Sequence, residues 1–165
     1  MGLFSCFTGC GFSKAKELVG TVAEPIEKRR FLEAAKDGNE DRFTASLEEH
    51  PDLMLSHSLA NGKTAAHLAA ESGHIHILEA LTESLLCNAS KLYGKEGSGQ
   101  EPAEAIMPSL INAIDAEGRT PLSLASEHGH VDCARFLLAN GADRLIADHK
   151  GNTTLHYASW KCHLG

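Results

Sequence analysis

The sequence predicts an all-α solenoid of stacked helix-turn-helix units, because one short motif recurs along the chain. Residues 151–158 (Gly-Asn-Thr-Thr-Leu-His-Tyr-Ala) follow the pattern of residues 118–125 (Gly-Arg-Thr-Pro-Leu-Ser-Leu-Ala) at a spacing of 33 residues. The same frame occurs a third time at residues 62–74. A fixed period of this length is typical of repeat proteins, whose units stack because none can bury its apolar face alone.

The repeated segments resemble the ankyrin-repeat family, whose signature is Thr-Pro-Leu-His-x-Ala. The agreement extends to Gly129-His130, to residues 136–138 and to Gly141-Ala142-Asp143. The resemblance implies an ankyrin domain at residues 25–165. Its repeats are expected at about 29–60, 61–87, 115–147 and 148–165, the last of them incomplete. The first is degenerate, since residues 31–38 lack the Thr-Pro start, and we interpret it as a polar capping repeat.

One long insertion interrupts the period. Thr64 and Thr120 are 56 residues apart, which is one period plus 23 residues. The insertion is expected at about residues 88–110 and contains the Gly- and Pro-bearing segment 94–102. Insertions in solenoids emerge as loops, so it is either a flexible excursion or a docking loop. A short helix at about residues 103–114 would return the chain to register.

Composition narrows the functional classes. The chain has 165 residues, a formal net charge of −7 and 42% hydrophobic residues, which suits one globular domain. Its scattered acids argue against binding to nucleic acid, which needs clustered Lys and Arg. Five irregularly spaced cysteines with no secretory signal favour a reduced, cytoplasmic location.

The ten histidines do not indicate a metal site. His67 and His156 occupy the signature position, and His74 and His130 occupy a Gly-His position that also repeats. The other histidines do not combine with cysteines at zinc-ligand spacing. We therefore predict no metal, no cofactor and no enzymatic activity.

The ankyrin resemblance implies a concave groove, formed by the turns between repeats and the outer face of each first helix. A monomeric module that binds a protein partner of unknown identity is therefore the favoured function. Trp160, the only tryptophan, is the first candidate anchor, since Trp is enriched at interface hot spots, although it could instead cover the incomplete last repeat. The candidate partner-binding residues are Lys63, Glu71, Ser72, Arg119, Glu127, His128, Lys150, Asn152, Tyr157, Trp160 and Lys161.

An alternative function is the substrate-recognition arm of a larger enzyme. The Met-Gly start with a nearby cysteine, the degenerate first repeat and the long interruption resemble plant-type ankyrin-repeat RING ubiquitin ligases. Some protein acyltransferases also join ankyrin repeats to a catalytic domain. This chain contains neither a C-x-x-C pair for RING zinc nor an Asp-His-His-Cys stretch. The catalytic part would therefore have to lie outside it.

Residues 1–24 are expected to form a flexible segment that carries lipid. Removal of Met1 would expose Gly2, as N-myristoylation requires, although Cys6 stands where the strict motif has Ser or Thr. One myristoyl chain binds membranes only marginally, and Cys6 and Cys10 would supply a second signal as palmitoylation sites. The sequence thus predicts attachment to the cytoplasmic face of a membrane; the alternative is a disordered start that reads Met-Gly by coincidence.

Loss of these groups should release the protein in graded fashion. Each buried methylene contributes about 0.8 kcal/mol, so two acyl chains anchor stably and one anchors reversibly. Gly2→Ala should move the protein to the soluble fraction, whereas Cys6→Ser with Cys10→Ser should leave it transiently bound. Cell fractionation and fatty-acid labelling of a carboxy-terminally tagged protein measure both. A fully soluble, unlabelled wild type would contradict the prediction.

Overall fold

The computed structural model describes residues 26–50, 53, 61–92 and 102–160. The expected lipidation residues Gly2, Cys6 and Cys10, and the candidate Lys161, lie outside them. Within the described ranges the chain is helical with no β-strand, which confirms the all-α prediction. The helices are α1 (described residues 26–37), α2 (Glu40–Glu49), α3 (Ala65–Ser72), α4 (Ile75–Leu92), α5 (Pro102–Ile111), α6 (Pro121–His128), α7 (Val131–Ala139) and α8 (Thr154–Trp160).

The first helices of successive repeats form the centre of the stack. Helix α3 packs against α6, and α6 packs against α8. The second helices form another layer, in which α4 and α7 contact each other and their own first helices. Ala69 and Ala70 of α3 are fully buried in the core, where larger side chains would overpack the stack. Helices α1 and α2 close the other end, where the rings of Phe31 and Phe43 stack at 4.7 Å.

The repeated motif explains where the first helices begin and end. Thr64 and Thr120 are the N-cap residues of α3 and α6, as predicted, and the Ser123 amide donates to the Thr120 hydroxyl at 3.2 Å. Gly73 and Gly129 end these helices in the left-handed conformation, with φ of 80° and 77°. Glycine adopts that conformation at little cost, which is why it recurs here.

Histidines join neighbouring repeats. His67 accepts the Thr64 amide proton at Nδ1, so its Nε2 carries a proton, and this Nε2 lies 2.9 Å from the Arg119 carbonyl in the next repeat. Nε2 of His130 lies 3.0 Å from the Glu71 carbonyl, and Nε2 of His74 lies 3.1 Å from the Lys36 carbonyl. Since a carbonyl can only accept, each Nε2 is the donor. The repeated histidines therefore hold the stack together.

The insertion contains more helix than the sequence indicated. Helix α4 continues to Leu92, and α5 covers residues 102–111, so only residues 93–101 of this region are not described. The expected short helix is present and ends three residues earlier than predicted. It packs against α4 and buries Leu110 and Ile111 to 1% and 2% exposure. Burial of these side chains makes α5 part of the core rather than an excursion from it. Among the described helices, none has the length and apolarity needed to span a membrane.

Replacement of Gly73 should disturb the contact between repeats. A Cβ at Gly73 would lie 2.6 Å from the His130 ring, whereas a Cβ at Gly141 would meet nothing within 4 Å, and both residues have positive φ. Gly141→Ala should therefore lower the free energy of unfolding by only roughly 1 kcal/mol, the cost of placing an alanine in the left-handed conformation. Gly73→Ala should lower it by about 1 kcal/mol more, because the His130 ring must move away from the Glu71 carbonyl that it hydrogen-bonds. Urea unfolding of both variants measures the difference, and equal losses would contradict this role of His130.

Candidate binding surface

Equivalent positions of the three C-terminal repeats form one surface, which we call the candidate binding surface. Its members stand at the turn before each first helix and at the end of that helix. Because α3, α6 and α8 stack, equivalent positions lie in rows across the repeats. The rows are Lys63, Arg119 and Asn152; Glu71, Glu127 and Trp160; and Ser72 and His128.

The first two rows are joined by ion pairs within repeats. Lys63 Nζ lies 2.7 Å from Glu71 Oε2, and Arg119 Nη1 lies 3.7 Å from Glu127 Oε2. The Lys63 side chain is only 11% exposed, whereas that of Glu71 is 33% exposed. The ammonium group of Lys63 is turned toward Glu71, and its direct contact with a partner stays a prediction. Glu71 is the accessible member of the pair.

Arg119 is the centre of an acidic cluster. Its Nε and Nη2 atoms donate to Asp115 Oδ2 at 3.1 and 3.0 Å, and Glu117 Oε2 lies 3.3 Å from Nε. With Glu127, three carboxylates surround one guanidinium, so the cluster retains negative charge. Burial raises the pKa of Asp115, but hydrogen bonds from the Arg119 and Glu117 amides and from the Arg119 guanidinium outweigh it and lower the pKa. Arg119 is therefore chiefly a structural cation that positions Glu117 and Glu127.

The last described repeat replaces this cation by two neutral hydrogen-bond donors, Tyr157 and Asn152. The Tyr157 hydroxyl donates to Asp148 Oδ2 at 2.6 Å, and the Asn152 side chain donates to the same oxygen at 3.2 Å. Burial raises the pKa of Asp148, but these bonds and those from the Asn152 and Lys150 amides outweigh it and hold the pKa at about 2. Burial and the Asp148 carboxylate raise the pKa of Tyr157 to about 12.

Of the predicted contact residues, Tyr157 is thus internal and Asn152 is directed inward. Tyr157 is 8% exposed and Asn152 is half-buried, and the polar groups of both are directed to Asp148. The Tyr157 hydroxyl already donates its proton to a buried carboxylate. Both residues therefore support the turn, and their contact with a partner stays a prediction.

The exposed part of the surface is formed by His128, Lys150 and Trp160, together with the half-buried Glu71, Ser72 and Glu127. Trp160 is 76% exposed, so it does not cover the last repeat, which was the other interpretation of this residue. The His128 ring packs parallel to that of His130 at 6.1 Å, and its Nδ1 lies 3.0 Å from the Leu124 carbonyl. The surface therefore combines an exposed tryptophan and a stacked imidazole with carboxylates that are paired to Lys63 and Arg119.

Two buried carboxylates that accept the backbone amides of the turns were not predicted from the sequence. Asp115 and Asp148 are 5% and 9% exposed and are separated by one period of 33 residues. Oδ1 of Asp115 accepts the Glu117 and Arg119 amides, and Oδ1 of Asp148 accepts the Lys150 and Asn152 amides. Each aspartate precedes the signature threonine of its repeat by the same number of residues, and this repeated spacing could have identified both from the sequence.

One group of potential metal ligands occurs among the described residues, away from this surface. Side chains of Glu27, Glu49 and His50 place ligand atoms within 4.8 Å of one another, and His50 Nε2 lies 3.6 Å from Glu27 Oε2. Glu49 and His50 are exposed, and exposed acidic groups commonly lie close together without an ion. We assign no metal to them.

Acid should weaken the fold through Asp148. Its folded pKa of about 2 is below its ordinary value of 3.8, so its stabilisation is present above about pH 4 and is lost as the pH falls through about 2. Asp148→Asn should lower the melting temperature at neutral pH and flatten its fall in acid. The exposed Asp37→Asn variant is the control and should melt as the wild type does at each pH. If the melting temperature of Asp148→Asn fell in acid as steeply as that of the wild type, Asp148 would not be the source of the acid sensitivity.

Comparison with known proteins agrees with the fold. A family model for ankyrin repeats in three copies matches residues 31–143, and it matches again over residues 96–165. The NF-kappa-B inhibitor cactus of Drosophila melanogaster is 31% identical over 110 residues, which cover 62% of this chain and 22% of that protein. Human ankyrin repeat domain-containing protein 13B is 50% identical over 48 residues, covering 29% of this chain and 8% of that protein.

The fold also resembles a chain in the crystal structure of yeast ribosomal protein Rps3 in complex with its chaperone Yar1. The TM-score is 0.66 at 21% sequence identity, with 82% of this chain and 85% of that chain covered. The chain spans less than a quarter of the length of the two sequence relatives. The matched repeats and the stacked helix pairs show that the chain belongs to the ankyrin-repeat family.

Proposed function

We propose that this chain is an adaptor that binds a protein partner through the candidate binding surface. The observation that supports it most is the 76% exposed Trp160, in the same row as the carboxylates of Glu71 and Glu127. An exposed tryptophan on a rigid helix offers a large apolar contact area, and Trp is among the residues that contribute most to protein interfaces.

The surface is already organised without a partner. Lys63 fixes Glu71, and Arg119 is held by the buried Asp115 while it contacts Glu117 and Glu127. A partner therefore meets carboxylates whose positions are largely set, so less side-chain freedom is lost on binding. The contact residues in this proposal are Glu71, Glu127, His128, Lys150 and Trp160.

The relatives are consistent with protein binding. Cactus is named as an inhibitor of NF-kappa-B, and the structural relative comes from a complex of a ribosomal protein with its chaperone. The first name describes action on another protein, and the second describes a complex of two proteins. Since the sequence relatives are much longer than this chain, they do not identify its partner. The role as a recognition arm of a ligase or acyltransferase stays a prediction.

Substitution of Trp160 tests the proposal most directly. Trp160→Ala should weaken partner binding about tenfold or more, as expected for a hot-spot residue, with little effect on the melting temperature because the side chain is already exposed. Leu145→Ala is the matched control, since Leu145 is 71% exposed and lies outside the surface. Affinity capture from the source cells, quantified by mass spectrometry, identifies the proteins retained by wild type and control but lost with Trp160→Ala.

Glu127→Gln tests whether the negative charge of Glu127 contributes to binding independently of the stability of the fold. Glu127 is 3.7 Å from Arg119, which keeps its shorter contacts with Asp115, so the variant should remain folded and bind the same partner more weakly. If binding is lost only in those variants whose melting temperature also falls, the proposal is contradicted, because the substituted residues would then be structural.

A further inference from the structure

The first helices present their carboxyl-terminal ends side by side on the candidate binding surface. Helix α3 packs against α6 and α6 against α8, and Glu71, Glu127 and Trp160 occupy equivalent places near these ends. We call these three residues and His128 the helix-end row. Lys150 belongs to the same surface but precedes α8, so it lies beyond the opposite end of that helix. The helix-end row therefore has a chemistry of its own.

Glu71 and Glu127 retain hydrogen-bonding capacity that the fold does not use. Oε2 of Glu71 lies 2.7 Å from Lys63 Nζ, and Oε2 of Glu127 lies 3.7 Å from Arg119 Nη1. Within the described part of the chain, no hydrogen bond reaches the Oε1 atom of either carboxylate. An ionised carboxylate accepts through both oxygens, so each of the two can take a further donor.

His128 supplies a third acceptor to the row. Its Nδ1 lies 3.0 Å from the Leu124 carbonyl, which can only accept, so Nδ1 carries the proton of the neutral ring. Nε2 is then an acceptor, and none of the described residues donates a hydrogen bond to it. His128 is exposed, so a partner can reach this nitrogen.

Charges on α6 act on the helix that carries Trp160. Tyr157 lies one helical turn before Trp160, and burial and Asp148 raise the pKa of Tyr157 to about 12. The charge of Glu127 adds to this rise, and the charge of Arg119 opposes it. Glu127 is therefore close enough for its field to reach the part of α8 that carries the exposed indole.

The charge of α6 and the turn before it is negative in sum. The Arg119 guanidinium pairs with the carboxylates of Asp115, Glu117 and Glu127, so one positive charge faces three negative charges. The carboxyl-terminal ends of helices add partial negative charge. An acidic partner segment would be repelled by this field, whereas a basic segment is attracted.

A guanidinium group matches both the acceptors and the indole. It has only donors, and its flat face stacks on aromatic rings while its edge pairs with carboxylates. A cation above tryptophan is also attracted by the negative face of the ring, and Trp160 is 76% exposed. An ammonium group carries the same charge but is compact and more strongly hydrated, so it gains less from the indole.

We propose that the helix-end row binds an arginine side chain of the protein partner. Its guanidinium stacks on the Trp160 indole and donates to Glu127 Oε1 and His128 Nε2. This inference rests on the proposed function, because it names the partner chemistry for the same surface. Packed helix axes are about 8–10 Å apart, so a second basic residue roughly three positions away in an extended segment pairs with Glu71.

A random library of short peptides displayed on phage is the probe. The library is selected on the full chain, and clones that also bind the Trp160→Ala variant are removed. The remaining peptides should share an arginine with a second basic residue near it. Synthetic peptides with citrulline, the neutral isostere, in place of that arginine should bind about tenfold more weakly or worse. Lysine at this position should restore only part of the loss.

Glu127→Gln and Glu83→Gln form a matched pair of protein variants. Each removes one negative charge, but Glu83 is exposed on α4, outside the candidate binding surface. Glu127→Gln should weaken the arginine peptide about fivefold or more, and Glu83→Gln less than about twofold. Glu127→Gln should not weaken the citrulline peptide further, because the interaction is then already absent. Melting curves of both variants show that they remain folded.

The outcomes separate this inference from the proposed function. Peptides that depend on Trp160 but contain no arginine, or that keep their affinity with citrulline or lysine, would overturn the inference and leave the proposed function standing. Equal losses for Glu127→Gln and Glu83→Gln would also overturn it, because the attraction would then depend on net charge alone. A library that yields no peptide dependent on Trp160 would count against both.

Discussion

The structure depends on the close stacking of first helices, in which each repeat supplies the surface that its neighbour lacks. Ala69 and Ala70 of α3 are fully buried against this contact, and His67 crosses it to the Arg119 carbonyl. The core and the cross-repeat hydrogen bonds therefore belong to the same interface. This coupling is characteristic of repeat proteins, whose stability combines a term for each unit with a term for each interface.

The same stacking creates the candidate binding surface. It brings equivalent turn residues into a row, and the buried carboxylates Asp115 and Asp148 shape each turn from within by accepting two amides apiece. The two repeats differ in the side chain that contacts this carboxylate, which is Arg119 at Asp115 and Tyr157 at Asp148. Arg119 pairs with charged neighbours at the surface, whereas Tyr157 donates a neutral hydrogen bond to the charged Asp148, and Trp160 on the same helix is exposed. One turn framework thus carries a charged and an aromatic surface side by side.

Helix α5 shows how an insertion can be accommodated without loss of the stack. It packs on the extended α4 and buries Leu110 and Ile111, and the chain then enters the next turn at Asp115. Asn112 contributes to the connection, because it donates to the Gly141 carbonyl and accepts the Asp143 amide. The interruption in the sequence period is therefore a local addition to the second-helix layer, while the first-helix layer continues from α3 to α6.

The sequence alone determined the repeat frame, the helical class, the capping threonines and the left-handed glycines, because each depends on local preferences repeated at a fixed period. It also indicated that the repeated histidines belong to the fold. Only the tertiary structure decided which side chains are free. Lys63 and Tyr157 occupy surface positions of the motif, yet their polar groups are turned to Glu71 and Asp148. The contact of His67 with Arg119 joins residues 52 positions apart. Exposure depends on such distant partners, which local sequence preferences do not specify.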